Sequence, residues 1–336
     1  MKGVAGKVAT AERAAASPLV SIVAPFFNEA MVIDRFFGQV IGVMEALGTP
    51  WEIICVDDGS QDRTLELLLE HARSNPAITI VELSRNFGKE SALTAGLDAS
   101  AGDVVVLLDA DLQDPPSLIR QMLDKWREGY DVVYGVRRSR RSDSLLKRMT
   151  ARGFYKTFNA LTAEPMPENT GDFRLLDRRV VDRLHELPER TRFMKGLFAW
   201  LGFSSIAVPY DRPGREEGES AWSYWKLWNH ALEGLTSFST LPLRVWTYVG
   251  LTVSLLSFVY ASFLVFRTLV FGVDLPGYAS LMVVILFLGG IQLISLGVIG
   301  EYLGRVFIEV KQRPVYLVNR VHQFASDDRD ADGDEG

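Results

Sequence analysis

The chain has 336 residues and a net charge of −6, and 48% of its residues are hydrophobic. This charge gives no sign of a protein that binds nucleic acid, and the single cysteine, Cys55, excludes an internal disulfide and a zinc site built from cysteines. Residues 241–300 are almost continuously apolar, whereas the preceding part alternates as a soluble domain does. We therefore expect a globular domain followed by a membrane-embedded segment.

Both termini have the composition of loosely structured tails. Residues 1–18 are rich in alanine and charge and lack the apolar core of a secretory signal. Residues 326–336 are strongly acidic. We expect both segments to be disordered.

Four apolar runs alternate with helical patterns, which predicts a parallel sheet with right-handed crossovers. Polar residues follow the first, second and fourth runs, so we expect a ligand crevice along the carboxyl edge of the sheet. No Gly-x-Gly-x-x-Gly or Walker A sequence is present, which disfavours a dinucleotide dehydrogenase or a P-loop NTPase. The predicted strands are residues 19–25, 51–56, 78–83 and 104–108, with a fifth at 131–135.

The fourth predicted strand ends in two carboxylates, Asp109 and Asp111, with one residue between them. Carboxylate oxygens suit Mg²⁺ or Mn²⁺ better than zinc. The pair is therefore a candidate site for a divalent cation that holds a diphosphate. A bare Asp-x-Asp is more often an acidic surface turn, and the fully apolar strand before it favours the cation site here.

Two basic segments follow the predicted strands. Residues 137–158 combine arginines and lysines with apolar side chains, and three interpretations stay open: a solvated face, an anionic membrane surface and a phosphate-binding site. Residues 212–220 are basic and glycine-rich. Tryptophans recur through residues 221–241, which predicts a helix lying at the membrane–water interface.

Residues 245–266 and 275–300 carry no charged side chain, and each stretch can cross a hydrocarbon core of about 30 Å. We place two transmembrane helices at about 245–268 and 278–300, within a segment 242–304. Basic residues flank this segment on both sides, so the positive-inside rule places both termini and the preceding domain in the cytoplasm.

Five segments together resemble the family 2 glycosyltransferases of GT-A fold. Within that family the similarity is to the polyprenyl-phosphate glycosyltransferases, which include dolichol-phosphate mannosyltransferases and bactoprenol glucosyltransferases. The resemblance covers residues 19–320 and implies an α/β, GT-A (Rossmann-like) nucleotide-sugar domain over 19–220, followed by the interfacial helix, the two-helix hairpin and a cytoplasmic segment 305–336. The segments are Pro25–Glu29, Val56–Ser60, Arg85–Lys89, Asp109–Pro116 and Gly171–Arg174.

The resemblance implies the inverting transfer of a sugar to undecaprenyl phosphate, or to another polyprenyl phosphate, at the cytoplasmic face of the inner membrane. Glucose from UDP-glucose is the first candidate, and GDP-mannose and other UDP-sugars remain open. The same resemblance implies Mg²⁺ or Mn²⁺ as cofactor and a homo-oligomer, with a tetramer suspected.

The resemblance also assigns individual residues to the site. The metal ion would be held by Asp109, Asp111 and Gln113. Asp172 would act as the base, or would orient the acceptor or an arginine, and the other catalytic residues would be Asp111, Arg137 and Arg215. The acceptor phosphate would be bound by Arg137, Arg138, Arg215 and Ser220. The nucleotide sugar would be bound by Pro25, Phe27, Glu29, Val56, Asp57, Asp58, Lys89, Asp109, Ala110, Asp111 and Gln113.

One position departs from the family pattern. The family often has a lysine after Gly-x-Ser, but Ala221 stands there in this chain. The missing phosphate contact could be supplied by Arg212 or Lys226.

Two other functions compete with this one. A processive polysaccharide synthase usually carries Gln-x-x-Arg-Trp, and that sequence does not occur here. A non-catalytic membrane scaffold or lipid-translocation subunit would have no need of the pair Asp109 and Asp111, which is intact.

Overall fold

The computed structural model describes Arg13 and residues 17–137, 170–211, 241–271 and 277–324. The described residues fall into two units. The sheet unit holds Arg13, residues 17–137 and 170–211, and residues 314–324, and the helical unit holds the rest. Several predictions lie outside the described residues: those for Arg138, Arg212, Arg215, Ser220, Ala221 and Lys226, the interfacial helix 221–241 and the acidic tail.

In the described residues the sheet unit contains one mixed sheet of eight strands. Their order across the sheet is β7-β5-β6-β4-β1-β2-β3-β8. The strands along the chain are β1 (Val20–Phe26), β2 (Trp51–Asp57), β3 (Ile78–Leu83), β4 (Val104–Leu107), β5 (Val132–Arg137), β6 (Thr170–Asp177), β7 (Ser205–Tyr210) and β8 (Val318–Gln323).

The predicted parallel core is confirmed, and the sheet is wider than predicted. β1 pairs in parallel with β2 and β4, and β2 pairs in parallel with β3. However, β6 runs antiparallel between β4 and β5, and β8 runs antiparallel to β3. The sheet is therefore mixed and not wholly parallel as expected, because it includes two antiparallel strands, β6 and β8, whose sequences are not uniformly apolar and do not predict strands.

Helices pack on the sheet, and their positions determine where the loops at the carboxyl edge lie. α3 packs directly on the sheet, since a Cβ added to Gly96 would overlap the side chain of Val23. This close approach sets the position of the first residues of α3, which follow β3 at the carboxyl edge. The helices are α1 (Ile33–Leu47), α2 (Thr64–Ser74), α3 (Lys89–Ala99), α4 (Leu118–Arg127), α5 (Arg178–His185) and α6 (Met194–Trp200).

The helical unit consists of two long helices, α7 (Leu241–Phe271) and α8 (Tyr278–Lys311). With 31 and 34 residues they are about 46 and 51 Å long. They contain the two predicted spans and extend beyond them. Among the described residues, Phe287–Lys311 is long and apolar enough to cross a membrane, and α7 contributes a shorter apolar stretch, Tyr248–Tyr260.

The chain returns to the sheet unit after α8. Residues 318–323 form the edge strand β8, and Ser84 N donates to Leu317 O at 2.9 Å. Tyr316 Oη donates to Asp98 Oδ2 at 2.6 Å. The sequence predicts only a cytoplasmic segment here, so this contribution to the sheet is an addition to the predicted fold.

Arg13 lies within the segment predicted to be a disordered tail, yet it is buried. Its Nη2 lies 2.9 Å from Asp131 Oδ1 and 2.5 Å from Asp177 Oδ2. Its guanidinium carbon lies 5.2 Å from the centroid of the Trp126 ring, in a cation–π arrangement. At this residue the structure differs from the prediction, because two carboxylates and an aromatic ring provide a binding place for the side chain.

Candidate active site

The loops that follow β1 and β2 are joined by hydrogen bonds at the carboxyl edge. Asn28 has a left-handed backbone with φ of 54°, and its Oδ1 accepts from Gln61 N at 2.8 Å. Glu29 N donates to Thr64 Oγ1 at 2.8 Å, at the start of α2. These bonds hold the predicted nucleotide-binding segment in one conformation before any ligand binds.

The adjacent carboxylates Asp57 and Asp58 have different surroundings. The oxygens of Asp58 accept from Phe87 N at 2.7 Å and from Gly88 N at 2.9 Å, which fixes the loop leading into α3. Asp57 Oδ2 accepts from Ser60 N at 3.3 Å, but its Oδ1 is buried and has no hydrogen-bond partner within the described residues. Burial raises the pKa of both carboxyls. A buried acceptor of this kind is suited to an N–H group of a ligand.

Gly59 allows these two loops to approach each other. Its φ is +69°, and a Cβ at this position would lie 2.5 Å from the backbone carbon of Arg85. Any side chain would therefore push the loop after β2 away from the loop before α3.

The predicted metal-binding carboxylates lie in a region rich in negative charge. Burial and the neighbouring carboxylates of Asp111, Asp62 and Asp109 raise the pKa of Glu29. Gln113 N donates to Asp111 Oδ1 at 3.1 Å, which orients that carboxylate. Within the described residues, no group of three or more His, Cys, Asp or Glu is arranged to hold a metal ion on its own.

Asp109, Lys89, Asp172 and Lys195 form an alternating line of charges, which we call the charge cluster. Lys89 Nζ lies 2.7 Å from Asp109 Oδ1 and 2.6 Å from Asp172 Oδ2. Lys195 Nζ lies 3.3 Å from Asp172 Oδ1. Burial alone would lower the pKa of Lys89, but the two carboxylates outweigh it and raise that pKa. Lys89 therefore links the end of β4 to the start of β6.

Arg137, a predicted phosphate ligand at the end of β5, is held by two buried residues. Its Nε donates to Tyr210 Oη at 3.3 Å, and its Nη2 lies 3.7 Å from Asp114 Oδ1. Tyr210 Oη in turn donates to Asp114 Oδ1. Burial and the Asp114 carboxylate raise the pKa of Tyr210 to about 12. Tyr210 and Asp114 therefore fix the position of the arginine, and 29% of its side chain stays exposed.

The structure brings together some of the predicted site residues and buries the side chains of others. Glu29, Asp109 and Asp111 influence one another electrostatically, and Asp109 is joined to Asp172 through Lys89. Val56 and Ala110, in contrast, have buried side chains. Their side chains belong to the core, which leaves only backbone atoms for a nucleotide.

Sequence reasoning missed four residues of this region: Glu90, Asp114, Lys195 and Tyr210. Asp114 lies inside a recognised motif, but no separate role was assigned to it. For Lys195 the available signal was a single lysine in the otherwise apolar run 193–199. A charged side chain among buried apolar neighbours is usually paired with a group of opposite charge.

Comparison with known proteins gives matches over both units. Residues 21–184 match the model for glycosyl transferase family 2, and residues 241–306 match the GtrB C-terminal hairpin. An uncharacterized glycosyltransferase of Synechocystis sp. is 58% identical over 300 residues, which are 89% of this chain and 94% of that protein. The SfII prophage-derived bactoprenol glucosyl transferase of Shigella flexneri is 48% identical over 90% of this chain and 98% of its own length.

Among solved structures, mannosyl-3-phosphoglycerate synthase from Rubrobacter xylanophilus matches with a TM-score of 0.45 and 19% identity, over 67% of this chain and 74% of that chain.

Proposed function

Because the chain belongs to glycosyltransferase family 2, we propose that it transfers glucose from UDP-glucose to undecaprenyl phosphate, or to another polyprenyl phosphate, at the cytoplasmic face of the membrane. The observation that carries this proposal is the match to a bactoprenol glucosyl transferase along nearly the whole chain. That match includes the hairpin as well as the glycosyltransferase domain. A lipid acceptor would explain why a glycosyltransferase domain and an apolar hairpin occur in one protein, since the reaction would take place at the membrane surface.

On the donor side, the nucleotide would lie against the joined loops at the carboxyl edge. Asp57 Oδ1, buried and without a partner in the described region, would accept an N–H of the base. Phe27, which is 42% exposed, follows Phe26, the register partner of Asp57 on β1, and offers a ring face for the base. Glu29 would bind the base or the ribose through the same loop.

A divalent cation, Mg²⁺ or Mn²⁺, would be held by Asp109, Asp111 and Gln113. All the donor atoms are oxygens, and burial together with the neighbouring carboxylates raises the pKa of Glu29; a cation would relieve the negative charge of those carboxylates. One or two protein carboxylates plus substrate phosphates are a common Mg²⁺ site. The bound cation would stabilise the negative charge of the leaving nucleoside diphosphate.

On the acceptor side, the nucleophile is already an anion at neutral pH, since the second pKa of a phosphate monoester is about 6. The acceptor oxygen would form a bond to the anomeric carbon as the bond to the diphosphate breaks, which inverts the configuration at that carbon. The main obstacle is to bring two anions together. Arg137, supported by Tyr210 and Asp114, would bind the acceptor phosphate together with Arg138, Arg215 and Ser220.

The helical unit would anchor the enzyme, with both termini in the cytoplasm. Its described apolar side chains are widely exposed, as expected for helices that face lipid. We also propose a homo-oligomer, with a tetramer as the first candidate. Light scattering of the purified protein in detergent tests that part of the proposal.

Transfer can be tested with purified protein in detergent, undecaprenyl phosphate, Mg²⁺ or Mn²⁺, and radiolabelled UDP-glucose, GDP-mannose or UDP-N-acetylglucosamine. We expect label from UDP-glucose to move into the organic phase. EDTA and Asp111→Asn should each abolish that transfer. Asp124→Asn is the matched control, because Asp124 is an exposed carboxylate on α4. Transfer from another donor alone would correct the sugar, and no transfer by the folded protein would refute the proposal.

A further inference from the structure

Lys195 occupies a defined place in the charge cluster. Its Nζ contacts one oxygen of Asp172, at 3.3 Å, while Lys89 Nζ contacts the other, at 2.6 Å. The lysines belong to the first turns of α6 and α3, so two separate elements hold the two oxygens of one carboxylate. Without one of these cations the carboxylate could rotate about its terminal torsion, which is broad for aspartate.

The two lysines differ in how their charge is shared. Lys89 also contacts both oxygens of Asp109, at 2.7 and 2.8 Å. Its ammonium is therefore divided between the candidate metal site and Asp172. In the described part of the chain, the ion pair of Lys195 is with Asp172. The charge of Lys195 also acts on Glu90, but its ion pair is with Asp172.

Glu90 fixes the helix that carries Lys195. Its Oε2 accepts from the backbone N–H of Met194, the first residue of α6, at 3.1 Å. Glu90 follows Lys89 in the chain, and Lys195 follows Met194. Two neighbouring residues of α3 therefore have linked roles. Lys89 binds Asp172 directly, and Glu90 fixes the start of α6, which carries the second lysine that binds Asp172.

The electrostatic balance at Asp172 agrees with this geometry. Burial by itself would raise the pKa of Asp172, but Lys195 and Lys89 outweigh burial and hold that pKa well below its usual range. The carboxyl is therefore ionised at neutral pH. An ionised carboxylate held on both oxygens is suited to keeping a fixed orientation in the site.

We propose that Lys195 is a positioning residue that acts through Asp172. Together with Lys89 it holds the carboxylate in one orientation while the sugar passes to the acceptor phosphate. This inference rests on the proposed function, because the importance of Asp172 depends on the transfer reaction. It adds a residue that touches neither substrate but sets the rate of the step.

The experiment compares Lys195→Met, Lys195→Gln and Lys195→Arg with wild type, using UDP-glucose, or whichever donor the wild type uses, and undecaprenyl phosphate. We expect Met and Gln to lower kcat about 10- to 100-fold, because displacements of about 1 Å have effects of that size. The KM values for both substrates should change less than about threefold, and Arg should restore most of kcat. Lys125→Met is the matched control, since Lys125 is also paired with a carboxylate, at 2.8 Å, but on the outer face of α4.

A kcat within about twofold of wild type in both neutral variants would overturn the inference. So would a tenfold rise in the KM for undecaprenyl phosphate at unchanged kcat, which would make Lys195 a direct acceptor ligand. A high-resolution structure of Lys195→Gln adds a readout that needs no activity, because the Asp172 side chain should leave its present orientation. An unmoved Asp172 would refute the inference, whereas an inactive wild type would refute only the proposed function.

Discussion

Strand β6 carries an aspartate near each end, and the two aspartates are bound in different ways. Asp172, near the start, is paired with the ammonium groups of Lys89 and Lys195. Asp177, at the end, accepts from Arg13 Nη2 at 2.5 Å and from Trp126 Nε1 at 2.8 Å on one oxygen. Its other oxygen accepts from the backbone and side chain of Arg179, both at 3.0 Å.

The two ends of β6 differ in the kind of group that binds the carboxylate. At Asp177, planar guanidinium groups and an indole supply directional hydrogen bonds that saturate the carboxylate. At Asp172, the partners are the point charges of two ammonium groups, whose side chains are 43% and 26% exposed and therefore accessible to a charged substrate. With the proposed function, we expect the same pairing of acid and base to serve stability at one end of the strand and turnover at the other.

The largest effect is expected from Asp172→Asn. It should lower transfer about 100- to 1,000-fold, the range observed when one preorganised electrostatic group is removed from an active site. The melting temperature should change little, because the amide is isosteric, Lys89 keeps its pair with Asp109, and Lys195 is partly exposed to solvent. Transfer assays and thermal unfolding of the same preparation test both statements. A large drop in melting temperature with near-normal turnover would make Asp172 the structural residue of the pair.

Arg13→Met tests the other end. We expect a loss of about 2 kcal/mol in the free energy of unfolding, somewhat less than for a fully broken buried pair, because Asp177 keeps Trp126 and Arg179. The kcat of the folded protein should not change. Arg13→Lys should recover only part of the stability, since an ammonium lacks the guanidinium fork. Denaturant unfolding measures the loss, and equal stability of Met and wild type would contradict it.

Glu90→Gln should change how stability depends on pH. Burial, with a contribution from Asp172, raises the pKa of Glu90 from its ordinary value of 4.5 to about 7, although Lys195 and Lys89 oppose the shift. Between these values the folded state binds more protons than the unfolded state, so this group makes wild type less stable as pH rises. The glutamine variant keeps an acceptor for Met194 N without that cost.

The advantage of Glu90→Gln should therefore be absent near pH 4 and grow to about 2 kcal/mol by pH 8, after allowance for solvent screening. Thermal unfolding of both proteins across this pH range measures the difference. A difference that stays constant with pH would show that folding does not shift the pKa of Glu90.

The smallest effect is expected for the exposed pair Lys125–Glu128. Lys125→Met should change the free energy of unfolding by less than about 0.5 kcal/mol, because surface ion pairs are screened by solvent. Transfer should be unaffected. The variant gives the baseline for the pairs at both ends of β6, and a loss comparable to that of Arg13→Met would remove the contrast between buried and exposed pairs.

Local sequence was sufficient for part of this architecture. The strands β1–β4 follow from their apolar runs, and Asp109 and Asp111 follow from their place after β4. β6 was not predicted as a strand, because it begins with Thr170-Gly171-Asp172 and its neighbours in the sheet are distant in sequence. Asp172 itself was identified only through family resemblance.

The partners of the site depend on packing that no local pattern reports. Glu90 meets the start of α6 from 104 residues earlier in the chain. Arg13 reaches Asp177 from 164 residues away. Charge and spacing can identify such residues as candidates, but the tertiary fold determines which residues they contact.

The return of the chain to β8 has a consequence for biosynthesis. β3 receives its antiparallel neighbour from residues 318–323, after both long helices have been made. The edge of the nascent sheet therefore stays uncovered until both long helices have been synthesised, and until then the amides and carbonyls of β3 are open to other strands. The last strand of the sheet is thereby supplied by a segment that leaves the ribosome after the two helices.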